Sequence, residues 1–164
     1  MNELVSTDGF RSAIGRLPAG VAVLTLRWRG TVHAMTASAV ASVSLEPAQL
    51  LFCVHVDARF RDALDDVDTW AVSILADDQA HTADWLASPG RPAFDQLARV
   101  PHRPAPLSDA VWIDDAAAWF DCRTSQIHRA GDHDIVVGDV LAAEQGRAGA
   151  GGLVHLRGRV RPVR

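Results

Sequence analysis

The chain has 164 residues, of which 48% are apolar and 22% are charged, and its formal net charge is −4. This length suits a single domain over residues 1–164 with a real hydrophobic core, and the acidic balance argues against a nucleic-acid partner. All 16 basic residues are arginines. An anionic ligand would therefore be held by arginine, histidine, hydroxyl groups or backbone amides.

The cellular compartment is inferred from features that the sequence lacks. Its two cysteines, Cys53 and Cys122, are too few for a disulfide scaffold and have no metal-ligand spacing. The N-terminus has no basic segment followed by an apolar run, and no stretch is long and apolar enough to span a membrane. We therefore expect a cytoplasmic protein without membrane contact and without a metal site.

The first half of the chain predicts a helix followed by strands and short helices. Thr7 or Asp8 can cap a helix that Pro18-Ala19-Gly20 ends. Residues at helical spacing form its apolar face: Phe10, Ala13, Ile14 and Leu17. Strands are expected at residues 21–28, 33–36, 42–45, 50–56 and 70–75, and short helices at 58–66 and 78–87.

The second half predicts a long loop and then more strands. Four prolines crowd residues 91–106, which predicts a surface loop of the kind that often bears functional residues. Residues 118–123 and 135–141 flank the turn at 130–133 and form a long antiparallel hairpin, and residues 153–156 and 159–163 close the set. Hairpin connections dominate, so a mainly β, antiparallel barrel with peripheral helices fits best.

Three segments have side chains suited to ligand binding. Residues 35–44 place the hydroxyls of Thr36, Ser38, Ser42 and Ser44 among small residues, where a flat ring could approach backbone amides. The alternative is an ordinary strand with a polar loop, which has a similar composition.

The second and third segments each contribute one basic side chain. Arg59 lies in the first turn of a predicted helix, where an arginine suits an anion; the alternative is a solvated arginine near Asp62 and Asp65. His133 lies at the hairpin tip, where the turn does not require a histidine, and it could contact an aromatic or phosphorylated ligand. Hydrolase and phosphate-loop motifs are absent from the sequence.

In this order, the segments resemble the flavin reductase-like family, the FMN-binding split-barrel proteins that serve two-component monooxygenases. The resemblance runs from Phe10 to about Gly158. It includes the stretches Phe10-Arg11-Ser12-Ala13-Ile14-Gly15, Gly20-Val21-Ala22-Val23-Leu24-Thr25, Ala34-Met35-Thr36-Ala37-Ser38-Ala39, Ser42-Val43-Ser44-Leu45-Glu46-Pro47, Gly131-Asp132-His133 and Gly138-Asp139-Val140.

The resemblance implies a split β-barrel, antiparallel and Greek-key-like, with a cofactor site shared between several segments. Arg59 would hold the flavin phosphate, and His133, the candidate catalytic residue, would position the nicotinamide nucleotide. The residues implied to bind cofactors are Met35, Thr36, Ala37, Ser38, Ser42, Val43, Ser44, Cys53, Ala58, Arg59, Phe60, Phe94, Gly131, Asp132 and His133.

The resemblance also implies an NAD(P)H:flavin oxidoreductase. FMN, or FAD, would accept hydride from NADH or NADPH, and the reduced flavin would pass to a partner monooxygenase; a homodimer is expected. Two positions depart from the family pattern: Ser38 stands where many relatives have asparagine, and Gly158 is followed by Arg159-Val160 rather than by an aromatic residue. The alternatives are a non-catalytic FMN carrier or sensor on the same fold, and a split-barrel oxidase that uses no nicotinamide.

Overall fold

A computed structural model describes residues 5–164, which contain three short helices and twelve strands. The helices are α1 (Thr7–Ile14), α2 (Arg59–Ala63) and α3 (Ala80–Ala87). The strands are β1 (Ala19–Gly20), β2 (Ala22–Trp28), β3 (Thr31–Ala37), β4 (Val40–Leu45), β5 (Ala48–His55), β6 (Thr69–Ile74), β7 (His102–Pro104), β8 (Val111–Ile113), β9 (Ala118–Ala130), β10 (His133–Gln145), β11 (Gly152–Leu156) and β12 (Arg159–Val163). The predicted mainly β class is confirmed.

The strands form one large sheet and two small ones, and every pairing is antiparallel. The large sheet has seven strands in the order β3-β2-β6-β9-β10-β5-β4, and the small sheets have the orders β1-β11-β12 and β7-β8. Consecutive strands β3 and β4 therefore lie at opposite edges of the large sheet. None of the helices within residues 5–164 is long and apolar enough to cross a membrane.

The hairpin of β9 and β10 forms the middle of the large sheet. Each strand has 13 residues, and the tip contains Gly131 at φ +66°, a backbone conformation that glycine adopts without steric cost. β10 also pairs with β5, and β9 pairs with β6. The predicted hairpin and its turn are confirmed.

The main hydrophobic core lies against one face of this sheet. Phe52 and Trp70 are fully buried, and their rings meet edge to face with centroids 4.7 Å apart, a favoured arrangement for aromatic pairs. The period-two pattern predicted for β5 holds, since Leu50, Phe52 and Val54 are buried. The ring centroids of Phe60 in α2 and Phe52 are 6.0 Å apart, so this short helix packs into the same core.

The first helix differs from its prediction at both ends. Its N-cap is Ser6, whose hydroxyl accepts a hydrogen bond from Gly9 N, rather than Thr7 or Asp8. The helix ends at Ile14, before Pro18. The predicted apolar face is exposed among residues 5–164: Phe10 is 55% and Ile14 46% exposed, and Leu17, which lies beyond the end of α1, is 62% exposed.

The prediction of one surface loop over residues 91–106 is wrong for its second half. β7 lies there and pairs with β8, while Leu97, Val100 and Ala105 are buried. The buried amide of Gln96 accepts a hydrogen bond from the buried Ala34 N and donates one to Pro92 O, so it connects the loop to β3. Prolines had suggested irregular structure, but proline is tolerated in an edge strand such as β7.

Replacing Gly138 with alanine is expected to destabilise the fold. A Cβ at this position would collide with the buried ring of Trp70, and Arg123 O would lie 3.2 Å away, so the core would have to shift. Overpacking of this kind costs about 1–3 kcal/mol in the free energy of unfolding, measurable by urea denaturation. The control is Gly20→Ala in β1, where an added Cβ meets no atom within 4 Å; equal stability of the two variants would contradict the prediction.

Candidate functional site

Residues 35–44 run from β3 across a short turn into β4. Cys53 N donates a hydrogen bond of 3.0 Å to Ala39 O, which fastens this turn to β5. The structure therefore brings Ser38 close to Cys53, although they are 15 positions apart in the sequence (53 − 38). Ala37 is buried in the core, whereas Met35 and Ser38 are half-buried.

The hydroxyls of this segment have different surroundings. Thr36 donates a 2.7 Å hydrogen bond to Ala83 O and so connects β3 to α3. Ser44 Oγ accepts from Glu46 N at 3.2 Å. Ser42 and Ser44 line an apolar cavity of about 390 Å³, while Val43 is exposed. The four hydroxyls are thus not gathered around one point.

Arg59 is the first residue of α2, with Ala58 as the N-cap and Phe60 in the core. Its guanidinium is exposed and forms no ion pair with any residue from 5 to 164. Burial, and then the positive charge of Arg59, lowers the pKa of His33 on β3. Arg59 lies on α2 and therefore acts electrostatically on the neighbouring strand β3.

A second arginine, which the sequence analysis missed, shares a cavity with Arg59. This cavity of about 270 Å³ is lined by Arg59, Ser88, Gly90 and Arg91, among others. Arg91 donates to Ala34 O at 2.9 Å and to Ser88 O at 3.1 Å, which fixes its guanidinium beside β3. Its position between Gly90 and Pro92 in the proline-rich loop was the available signal.

The guanidinium of Arg91 is only partly satisfied. Its Nε atom is buried and has no hydrogen-bond partner, and burial lowers the pKa of this arginine. A buried cationic donor without a partner is stabilised by a nearby anion. Arg59, which has no ion pair within residues 5–164, lines the same cavity, and two arginine side chains give this cavity a positive charge that suits an anion.

Phe94 faces a neighbouring cavity rather than this one. It is 68% exposed and lines a space of about 330 Å³ with Arg27 and Gly30. Ala93, the preceding residue, lines the cavity of Arg59 instead, and Gln96 borders both. The contact of Phe94 with a cofactor stays a prediction.

His133 is the first residue of β10 and lies opposite His55, the last residue of β5. The two imidazole rings meet edge to face with centroids 5.2 Å apart, and both side chains are nearly half exposed. His55 did not stand out in the sequence, because nothing local distinguishes it from a polar strand end. The pairing register alone brings the two histidines together.

Neighbouring groups orient both imidazoles. Asp57 N donates to His55 Nδ1 at 3.1 Å, so the proton of neutral His55 is on Nε2. His133 Nδ1 lies 2.7 Å from Asp132 Oδ1, so this nitrogen donates and Nε2 is the acceptor of the neutral ring. The hydrogen bond from His133 lowers the pKa of Asp132, which keeps that carboxylate ionised.

A buried carboxylate follows His133 directly. The side chain of Asp134 is 5% exposed and accepts a hydrogen bond from Arg61 Nε, while Arg129 Nε lies 3.5 Å from its other oxygen. Arg61 holds the pKa of Asp134 below its usual range, and Arg129 adds to the effect. This ion pair joins α2 to β10.

The cysteines and the acidic residues offer no further chemistry at the site. Burial raises the pKa of both thiols, so Cys53 and Cys122 stay protonated and are poor nucleophiles. Within the described part of the chain, no group of three or more His, Cys, Asp or Glu side chains could hold a metal ion. The groups left to contact a ligand are therefore arginines, imidazoles, hydroxyls and backbone amides, while the carboxylates of Asp132 and Asp134 pair with His133 and Arg61.

The described residues thus form an antiparallel β protein with a cavity lined by two arginines, which suits an anionic ligand, and with a pair of imidazoles where β5 ends and β10 begins. Residues 14–164 match the family model described as "Flavin reductase like domain", and the chain belongs to this family. The resemblance found in the sequence is thereby confirmed.

Two relatives illustrate the family. The chain is 35% identical over 153 residues to the NADH-dependent FMN reductase AsuE2 of Streptomyces nodosus subsp. asukaensis, covering 91% of this chain and 80% of the relative. It is 36% identical to the reductase component of the flavin-dependent trigonelline monooxygenase of Acinetobacter baylyi, covering 90% of this chain but only 46% of that longer protein.

The structure is also similar to a solved one. The NADH:FAD oxidoreductase SgcE6 of Streptomyces globisporus C-1027, in complex with NAD and FAD fragments, superposes with a TM-score of 0.89 at 32% sequence identity. The match covers 99% of this chain and 97% of that one. Relatives of this fold thus include proteins that differ in length but share nearly the whole of the present chain.

The ion pair of Asp134 is expected to stabilise the fold only while the carboxylate is ionised. The folded pKa of Asp134 is lowered, whereas an aspartate in the unfolded chain titrates near about 3.9. The stabilisation is therefore complete above about pH 4 and is lost as the pH falls through the folded pKa. Urea midpoints of the wild type and Asp134→Asn should differ at pH 7, and the difference should shrink steadily as the pH falls below about 4.

The control for this pH series is Asp68→Asn, which breaks the exposed ion pair of Asp68 with Arg123 at 3.7 Å. An exposed pair contributes little, so its urea midpoint should follow that of the wild type at every pH. A difference between wild type and Asp134→Asn that does not change with pH would contradict the assignment.

Proposed function

We propose that the protein is an NAD(P)H-dependent flavin reductase that reduces FMN, or FAD, and delivers the reduced flavin to a flavin-dependent monooxygenase. The observation that supports this most directly is the cavity shared by Arg59 and Arg91; Arg59 follows His55 by four residues, and His55 is the strand partner of His133. Membership of the flavin reductase family supports the reaction, and the named activities of AsuE2 and SgcE6 support NADH as the donor.

In the proposed site, the flavin phosphate lies between Arg59 and Arg91. Both guanidiniums would donate to phosphate oxygens, with the buried Nε of Arg91 gaining the partner that it lacks. The ring is proposed to lie along Met35, Thr36, Ala37, Ser38 and Cys53, with Ser42, Val43 and Ser44 at its edge. Small side chains and backbone amides there would accept a flat ring and its polar edge.

The nicotinamide nucleotide is proposed to bind at Gly131, Asp132 and His133. When both are bound, the nucleotide supplies a hydride and the flavin accepts it, a transfer that needs no general acid or base at the reacting carbon. The protein's contribution is positioning. Asp132 would orient the imidazole of His133, whose Nε2 remains available for the nucleotide.

The finer architecture belongs to the same proposal. We infer that the seven-stranded sheet curves into the split barrel of this family, since its two edge strands, β3 and β4, are consecutive and the turn between them is hydrogen-bonded to β5. A homodimer is proposed because the apolar face of α1 is exposed and an apolar cavity opens beside β4. The single domain over residues 1–164 and the cytoplasmic location stay predictions.

Anaerobic turnover tests the proposed reaction. The purified protein, mixed with FMN or FAD and with NADH or NADPH, should oxidise the nucleotide at 340 nm with matching bleaching of the flavin. The four combinations identify the preferred pair. Tight flavin binding without nucleotide oxidation would support a carrier or sensor instead, and turnover only with oxygen and a separate substrate would support an oxidase.

Substitutions at Arg59 and His133 should have separable effects. Arg59→Ala removes a charged hydrogen bond worth about 1.5–3 kcal/mol, so the Kd for FMN should rise about 10-fold or more. His133→Ala should raise the KM for the nucleotide while the Kd for FMN, measured by quenching of flavin fluorescence, changes little. The control Arg161→Ala alters an exposed arginine of β12 and should affect neither constant; the reverse pattern would refute both assignments.

A further inference from the structure

The ion pair between Arg61 and Asp134 connects the two halves of the proposed site. Arg61 lies two residues after Arg59 on α2, and Asp134 directly follows His133 on β10. The partners are 73 positions apart in the sequence. Any movement of one element relative to the other must stretch this contact.

The residues before and after His133 each form a hydrogen bond with residues 56–61. On one side, Val56 N donates a 3.0 Å hydrogen bond to Asp132 O. On the other side, Arg61 donates to the carboxylate of Asp134. The two neighbours of the residue proposed to hold the nucleotide are therefore attached to α2 and to the segment that leads into it.

The short helix α2 depends on tertiary contacts of this kind for its orientation. It has five residues, and its N-cap, Ala58, makes no side-chain capping bond. A helix of this length is not stable by itself and takes its orientation from tertiary contacts. Phe60 and Ala63 anchor one face in the core, and Arg61 adds the only ion pair in residues 5–164 that joins α2 to a strand.

The carboxylate of Asp134 is well placed to hold Arg61 in one geometry. It is buried, so its loss would leave the 19%-exposed side chain of Arg61 with Asp65, 2.7 Å away and just beyond the end of α2, as its one acidic partner within residues 5–164. A cation deprived of a buried partner rearranges towards water. Arg129, opposite Asp134 on β9, would lose its acidic partner too.

We propose that Asp134 is a positioning residue that, through Arg61, holds the helix of Arg59 and the strand of His133 in a fixed relation and so supports both flavin binding and nucleotide binding. The proposal rests on the flavin and nucleotide sites proposed above. It predicts a signature that neither site alone would produce. A change next to His133 should weaken flavin binding, although removal of the His133 imidazole does not.

The first test is Asp134→Asn, which removes the charge and preserves the shape. The Kd for FMN, measured by fluorescence quenching without nucleotide, should rise about fivefold or more, and the KM for NADH should rise similarly. At saturating FMN and NADH, kcat should change less than either constant. Arg61→Lys, which keeps the positive charge on a single donor group, should give intermediate values.

Two controls separate positioning from stability. Asp68→Asn breaks an exposed ion pair and should leave the Kd and the KM within about twofold of wild type. The double variant Arg61→Met/Asp134→Leu replaces the ion pair by apolar side chains, an exchange that often preserves stability. It should regain the wild-type urea midpoint but retain the weakened FMN binding.

The outcomes distinguish this proposal from the function on which it rests. A wild-type protein that does not oxidise NADH or NADPH with any flavin would refute the reductase function. With an active wild type, an unchanged Kd for FMN in Asp134→Asn would overturn the positioning role. Should Asp134→Asn fail to fold, full recovery of FMN binding and KM in the double variant would overturn it as well.

Discussion

The antiparallel ladder between β9 and β10 is the constraint on which the rest of the molecule depends. It forms the middle of the seven-stranded sheet, and each of its strands pairs with a further strand, β6 on one side and β5 on the other. Gly138 within β10 leaves room for the ring of Trp70, the largest fully buried side chain of the core. The same ladder ends at the turn that presents His133, so core packing and site geometry share one element.

Electrostatics at the site are dominated by arginines in three different situations. Arg59 is exposed and without an acidic partner among residues 5–164, Arg91 is fixed by two carbonyl oxygens with one donor unsatisfied, and Arg61 is held by two carboxylates. Of these three, only Arg61 has carboxylate partners within residues 5–164. The first two retain the capacity to bind an anion, whereas the third has a structural role.

This division suits a reaction that demands placement more than acid–base chemistry. Hydride transfer depends on bringing two rings together, so binding groups and the rigidity of their supports determine the rate. The thiols remain protonated, and the imidazole of His133 is oriented by Asp132. The short helix α2 is not rigid by itself. Its contacts with β5 and β10 support it.

The sequence by itself determined the secondary structure class and the family. Alternating apolar residues in β5 and the glycine turn at 131 are local signals, because side-chain period and backbone conformation depend on near neighbours. The ordered motifs then identified the flavin reductase family, which the family match confirms. The helix cap at Ser6 and the strand β7 escaped these local patterns, since neighbouring hydroxyls compete as caps and prolines obscure an edge strand.

Tertiary structure alone decided which polar residues meet. Arg91 lines the same cavity as Arg59 because of the way the loop after α3 folds. His55 contacts His133 because β5 and β10 pair in one particular register. Asp134 finds Arg61 across 73 positions of sequence. No local pattern encodes these contacts, because they depend on strand order and on burial. Burial raises the free-energy cost of an unpaired donor or carboxylate.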